Sequence, residues 1–247
     1  MTGVEDLTVQ LSQLYIELER MHAWRGWHWW PDADRFEVIV GSILVQNTMW
    51  ANVERAIALL KAADALSPST MRALLTEELE TLVRPSGQYR QKAMKLRAFL
   101  ETVEAHGDLE TLLSLPASEL RPVLLATWGI GPETADCIIV YAARQPALVI
   151  DAYTQRLFAR LGLGPVTTTD YAAWQGWFLA NLAGTSPRDG ESRRDFLARY
   201  HALIVMHCKH LCLKARPKCG DCRLFEQCPG SPLGQGNAGP SRKQGGL

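Results

Sequence analysis

Two groups of residues in this chain have the types and spacing to do chemistry. The first lies in "LATWGIGPETADCIIVYAARQPALVIDAY", where a Gly129-Ile130-Gly131 turn opens a helix and Asp151 follows further on. Glycines permit positive φ and close approach of another backbone, and Pro132 suits the first turn of the new helix. Amides of such a turn and the N-terminus behind it make a small anion site, and a phosphodiester is its natural occupant, held without reading base sequence. The same spacing also suits an ordinary tight helix-helix turn. Asp151, after the apolar "ALVI", reads either as the N-cap of "DAYTQRLFARLG" or as a carboxylate facing a cleft and stabilising positive charge. The second group is Cys212, Cys219, Cys222 and Cys228, four thiols in one short segment with a Cys-x2-Cys core. That spacing suits a closed metal site and leaves zinc and an iron-sulfur cluster equally open.

Length, charge and cysteine usage narrow the classes. Its 247 residues are enough for one large or two modest domains with real cores. Lys plus Arg number 26, as do Asp plus Glu, so no global charge drives it toward nucleic acid; any electrostatic footprint must be local. One local excess exists: Lys209, Lys214, Arg216, Lys218 and Arg223 crowd the cysteine segment, against Asp221 and Glu226. The first residues lack a secretory pattern, and "FEVIVGSILV" is too short to span a bilayer. A chain working inside the cell, as a monomer and away from membranes, is expected. In a reducing compartment clustered cysteines favour metal over disulfides. Cys208, one turn before Cys212, and the isolated Cys137 read as structural.

Helical periodicity runs nearly throughout, and no pair of alternating strands shows itself. "VEDLTVQLSQLYIELERMH" spaces Leu7, Leu11, Leu14 and Leu18 on one face, and "FEVIVGSILVQNTMWANVERAIALLKAA" reads as two helices broken near Gln46-Asn47-Thr48. "SPSTMRALLTEELETLV" opens on a start signal, "YRQKAMKLRAFLETVEAH" precedes Gly107, and the Gly- and Pro-rich end reads as a disordered tail over 229–247. The fold class is all-α.

Several segments in one order carry a resemblance. "VGSILVQNT", "GQYRQKA", "GIGPETAD", "VIDAY" and "YHALIVMHCKHLCLKARPKCGDCRLFEQC" are similar to successive motifs of the endonuclease III superfamily, the helix-hairpin-helix Gly/Pro/Asp DNA glycosylases, from about Phe36 to Cys228. The resemblance implies two helical subdomains: a six-helix barrel with the hairpin over 36–141, and an iron-sulfur part from 1–35 and 142–228, with Asp151 at a cleft between. It implies double-stranded damaged DNA as partner and a [4Fe-4S] cluster on Cys212, Cys219, Cys222 and Cys228. By the same resemblance Gly129, Ile130 and Gly131 grip the backbone, Gln46 fills the gap left by a flipped nucleotide, and Gln88 is the wedge. Lys92 is a candidate phosphate contact.

For the chemistry, the resemblance makes Asp151 the carboxylate that meets the cationic sugar and directs the attacking water. Bifunctional relatives carry a lysine nucleophile where this chain has Glu133, so hydrolysis without strand cleavage is expected. Glu133 is a candidate to help place the water, or simply an acid suited to a helix start. "GIGPETAD" with "DAY" resembles most the 3-methyladenine DNA glycosylase III branch. Trp24 and Tyr153 are then candidates for the base pocket, since ring faces attract a cationic alkylated purine. The alternatives are an endonuclease III-type glycosylase and AP lyase on oxidised pyrimidines, and a non-catalytic lesion-binding protein.

Overall fold

The computed structural model describes residues 3–22, 34–183, 185 and 190–230. Among them there are twelve α-helices and no strands, as the periodicity demands. They divide into two compact units. One holds 28–149 together with 192–198; the other holds 1–27, 150–191 and 199–247.

The first unit is built on α2 (Arg35–Leu44), almost wholly buried and capped by the Asp34 carboxylate, which accepts from Phe36 N at 2.8 Å. The helix stops at Val45, and a tight turn through Gln46, with Asn47 at φ 55°, leads into α3 (Trp50–Ala62). The next segment forms two short helices. A capping box at Ser67 starts α4 (Pro68–Ala73), Leu74 and Leu75 turn extended, and α5 (Thr76–Val83) follows. Then come α6 (Tyr89–Ala105), α7 (Leu109–Ser114), α8 (Ala117–Ala126) and α9 (Pro132–Cys137), the last widening into a π-helical turn over Ile138–Ala142. Ile39, Ile43, Leu96, Phe99, Leu124 and Ile138 fill this unit's core.

The second unit sets α1 (Gly3–His22) beside α11 (Tyr171–Leu182) and also holds α10 (Ala152–Leu161). Leu11, Leu14 and Leu18 face inward at the predicted spacing. Tyr200 in α12 (Arg193–His210) reaches back to donate to Leu11 O at 3.1 Å. Residues 192–198 at the start of this helix pack with the other unit, a division that no composition change in the sequence marks. The expected tail falls mostly on 231–247, outside the described residues.

Candidate active site and nucleic-acid interface

The hairpin closes where the sequence puts it. α8 ends at Ala126, Gly129 takes φ +84°, and Gly131 is the N-cap of α9 with Pro132 at its first position. The two glycines have different reasons to be glycine. A Cβ on Gly129 would be strained in the left-handed region and would overlap the side chain of Lys95, whose Cδ lies 2.8 Å from that position. Gly131 has φ −92°, and a Cβ there would meet nothing within 4 Å. Ile130 is buried, 5 % exposed, and its N–H donates to Thr127 O at 3.1 Å, so its side chain serves the core and its amide serves the turn. Among the described residues no backbone acceptor takes the Gly131 N–H.

Behind the turn the two arms are pinned by charge. Arg121 of α8 donates through Nε and Nη2 to both carboxylate oxygens of Asp136 in α9, at 2.8 and 3.2 Å, and Asp136 is 1 % exposed. Glu133 is exposed in the first turn of α9. Gln46 comes to the same place from the α2–α3 turn. Its Nε2 donates to Gly129 O at 3.2 Å and to Thr134 Oγ1 at 3.0 Å, while the ammonium of Lys95, from α6, donates to its Oε1.

Gln88 sits exposed as the residue before α6, with φ 47° and ψ 34° after Gly87 at φ +68°; two consecutive positive φ values push this turn outward. Lys92 overturns its expected place at the surface. Its side chain is 1 % exposed and its ammonium donates inward to Ser86 O at 2.5 Å, bracing the turn from beneath. Burial, helped by the charge of Lys95, draws the amine down to about 8. A lysine held this way cannot reach a phosphate, and it owes its place to the Ser86 carbonyl at the sharp turn.

In the other unit Asp151 caps α10, its Oδ1 accepting from Thr154 N at 2.7 Å and Thr154 Oγ1 at 2.8 Å. His201 Nε2 of α12 lies 3.5 Å from the other carboxylate oxygen, Oδ2. Burial alone pushes this carboxyl up; His201 and the Thr154 donors outweigh it and hold the group below its usual value, so it stays ionised. Tyr153 stands next to it, half-buried, under the Arg156 guanidinium 5.1 Å from its ring centre. Burial first, then the Asp151 charge, raises the Tyr153 hydroxyl. Trp24 lies outside the described residues.

Helix α10 also carries the cysteine loop. Arg156 donates to Cys208 O and Cys212 O, and Arg160 donates to Cys212 Sγ at 3.0 Å, Leu213 O and Lys214 O. Cys212, Cys219, Cys222 and Cys228 line one cavity with Leu157, Leu224 and other apolar groups. The Cys208 thiol donates to Tyr153 O at 3.5 Å. Cys208 first, then Arg160, favours the Cys212 thiolate against burial, while the Cys208 thiol is raised. Burial pushes Cys222 up to about 11. Three or more His, Cys, Asp or Glu close enough for a single metal ion do not occur among the described residues. Lys209, Lys214, Arg216 and Lys218 are exposed on this segment, whereas Arg223 is paired with Glu17 at 2.8 Å. No described helix is long and apolar enough to cross a membrane.

Residues 40–174 match the family described as HhH-GPD superfamily base excision DNA repair protein. The chain belongs to this family. The glycosylase is 40 % identical over 204 residues to MJ1434 of Methanocaldococcus jannaschii, provisionally named a DNA repair glycosylase, covering 81 % of this chain and 88 % of that one. It is 26 % identical to an endonuclease III of Thermotoga maritima, over 80 % of this chain and 84 % of the relative. Among solved structures it resembles the H. pylori 3-methyladenine DNA glycosylase MagIII bound to 1,N6-ethenoadenine, with TM-score 0.70, 27 % identity, and coverage of 81 % of this chain and 97 % of that one. Within the HhH-GPD glycosylase the hairpin, the Gln46 turn and the α6 start lie in one unit, and Asp151 and the four cysteines lie in the other.

Proposed function

We propose that this base-excision DNA glycosylase removes an alkylated purine such as 3-methyladenine by hydrolysis, without cleaving the strand. The observation that carries it is an ionised, buried Asp151 combined with an exposed glutamate, Glu133, at the hairpin position where lyase members have their nucleophilic lysine. Breaking the N-glycosidic bond leaves cationic character on the sugar, and a carboxylate kept charged in a low-dielectric site stabilises that charge and orients or deprotonates water. A carboxylate at Glu133 cannot form an imine, so elimination by that route is closed; its exposed place in the first turn of α9 also suits it to the helix dipole. An alkylated purine that is already cationic leaves without prior protonation. Tyr153, beside Asp151, and Trp24 would offer ring faces to it. The likeness to the H. pylori 3-methyladenine glycosylase supports this choice of base.

On the DNA side, Gly129 and Gly131 would bring the turn against a phosphate, with the open space over Gly131 in favour. Gln88 would enter the stack as the wedge, and Gln46 would stand at the gap behind the extruded nucleotide. Lys214, Arg216 and Lys218 would add a local, salt-sensitive attraction.

The four thiols suit a [4Fe-4S] cluster. They share one mainly apolar cavity, and Cys212 is already favoured as a thiolate. Cys212, Cys219, Cys222 and Cys228 would hold it, and its contribution is a structural clamp on the basic loop; no step of base removal is assigned to it. Cys208, whose thiol donates to Tyr153 O, stands outside the set.

The test is base release from duplex DNA that has been randomly methylated or, in a parallel arm, oxidised, with the products separated by chromatography. Release of 3-methyladenine with the strand left intact is expected. Release of oxidised pyrimidines with borohydride-trapped adducts would establish the endonuclease III-type reading instead, and binding of lesions without release would establish a non-catalytic one.

A further inference from the structure

We propose that Lys95 is a positioning residue, which sets the orientation of Gln46 and seats the hairpin turn on α6; this rests on the reading of Gln46 and the hairpin as DNA-facing parts of a glycosylase. Three segments distant in sequence meet at one amide. An ammonium can only donate, so it fixes the end of Gln46 it touches as Oε1. The carbonyl of Gly129 can only accept, so it fixes the other end as Nε2, and Thr134 Oγ1 takes the second Nε2 hydrogen. The two constraints agree, and the amide has one orientation. Both Gln46 donors are engaged within the hairpin, leaving one lone pair on Oε1 as its remaining hydrogen-bonding capacity.

The stem of Lys95 does a second job. Its Cγ, Cδ and Cε run across Gly129, closely enough that any Cβ there would collide with them. The methylenes thus lie where a larger residue's side chain would be, and the charged end continues to Gln46. Lys92, three residues earlier, braces the Gln88 turn by donating to Ser86 O. One helix, α6, therefore steadies two proposed DNA-facing turns with two inward-directed lysines, neither used as a plain surface cation. Lys95 is partly buried and Gln46 likewise, so water competes less for their contact than at an open surface.

The experiment measures binding to a duplex carrying a tetrahydrofuran abasic-site analogue, across a series of salt concentrations. The proteins are the wild type, Lys95→Met, Lys95→Arg, Gln46→Met and the Lys95→Met/Gln46→Met double variant. Met keeps the stem over Gly129 and deletes the charge. Expected is a loss of about tenfold in affinity for Lys95→Met, within the coupling range of touching residues, with the salt slope unchanged. In the Gln46→Met background the same change costs nothing further, and Lys95→Arg restores most of the affinity. If the loss persists in that background and the slope falls by about one, Lys95 meets a phosphate itself and the proposal is overturned. No loss at all overturns it too. A wild type that fails to prefer the abasic duplex over an undamaged one refutes the glycosylase interface instead, and carries this inference down with it. Thermal melting of each variant separates misfolding from loss of position, because Lys95→Arg retains both stem and charge.

Discussion

Exchanging the two hairpin glycines for alanine, one at a time, should damage different properties. At Gly129 the backbone is left-handed, φ +84°, which costs an L-residue about 1–2 kcal/mol. The new Cβ would also displace Lys95, whose Cδ stands 2.8 Å from its position, and so loosen a hydrogen bond made by a charged donor, worth about 1.5–3 kcal/mol at most. Solvent at this partly exposed pair trims the second figure, and a net loss of about 2–3 kcal/mol lowers Tm by roughly 5–10 °C for a chain of this size. Gly131 has φ −92° and open space, so alanine brings neither strain nor collision. A less favourable N-cap is offset by a less flexible unfolded chain, and stability should stay within about 1 kcal/mol. DNA binding should fall all the same, by about tenfold or more, because the methyl group occupies the approach of a phosphate to a charge-assisted N–H contact. Melting curves and anisotropy titrations on a duplex give both numbers. Unchanged affinity for Gly131→Ala would remove the phosphate reading of the turn; unchanged Tm for Gly129→Ala would show that Lys95 and the positive φ constrain nothing.

Further outcomes are expected elsewhere. Asp151→Asn keeps a competent N-cap and should fold, yet lose base release by at least about a hundredfold under single-turnover conditions. His201→Gln removes an influence that lowers the Asp151 pKa, so the acid limb of the rate profile should move to higher pH; an unmoved limb would separate His201 from the carboxylate. Lys92 binds its proton less tightly folded, at about 8, than at the ordinary lysine value of 10.5. Its contribution to stability therefore rises as pH climbs from about 8 to 10.5, and denaturant melts of Lys92→Met should lack that rise. Arg121→Met should cost about 3 kcal/mol or more by urea melts, because it leaves the Asp136 carboxylate buried without its guanidinium.

What the sequence made readable was local. The break at Gln46–Thr48, the Gly129 turn, the Asp151 cap and the inward face of α1 each follow from neighbours in the chain. The split between α4 and α5 was hidden because Leu74 and Leu75 continue an apolar pattern while their backbones turn extended. The sites depend on pairings that no periodicity encodes. Lys95 with Gln46, Arg121 with Asp136 and His201 with Asp151 join residues from different helices. Lys92 looked like a surface cation because a lysine on an amphipathic helix usually is one; the Ser86 carbonyl drew it inward. Arg223 counted toward the basic loop until the structure paired it with Glu17. The sequence signal for such cases is thin: a lone charged residue on the apolar stripe of its helix.

The Arg121–Asp136 pair bears on how portable the hairpin is. Each arm holds one half of an internal brace, at 2.8 and 3.2 Å, and the brace ties the two arms together behind the turn. A fragment cut from this chain to serve as a phosphate-gripping module elsewhere must therefore begin no later than Arg121 and run past Asp136. A shorter graft would carry the glycines without the strut behind them.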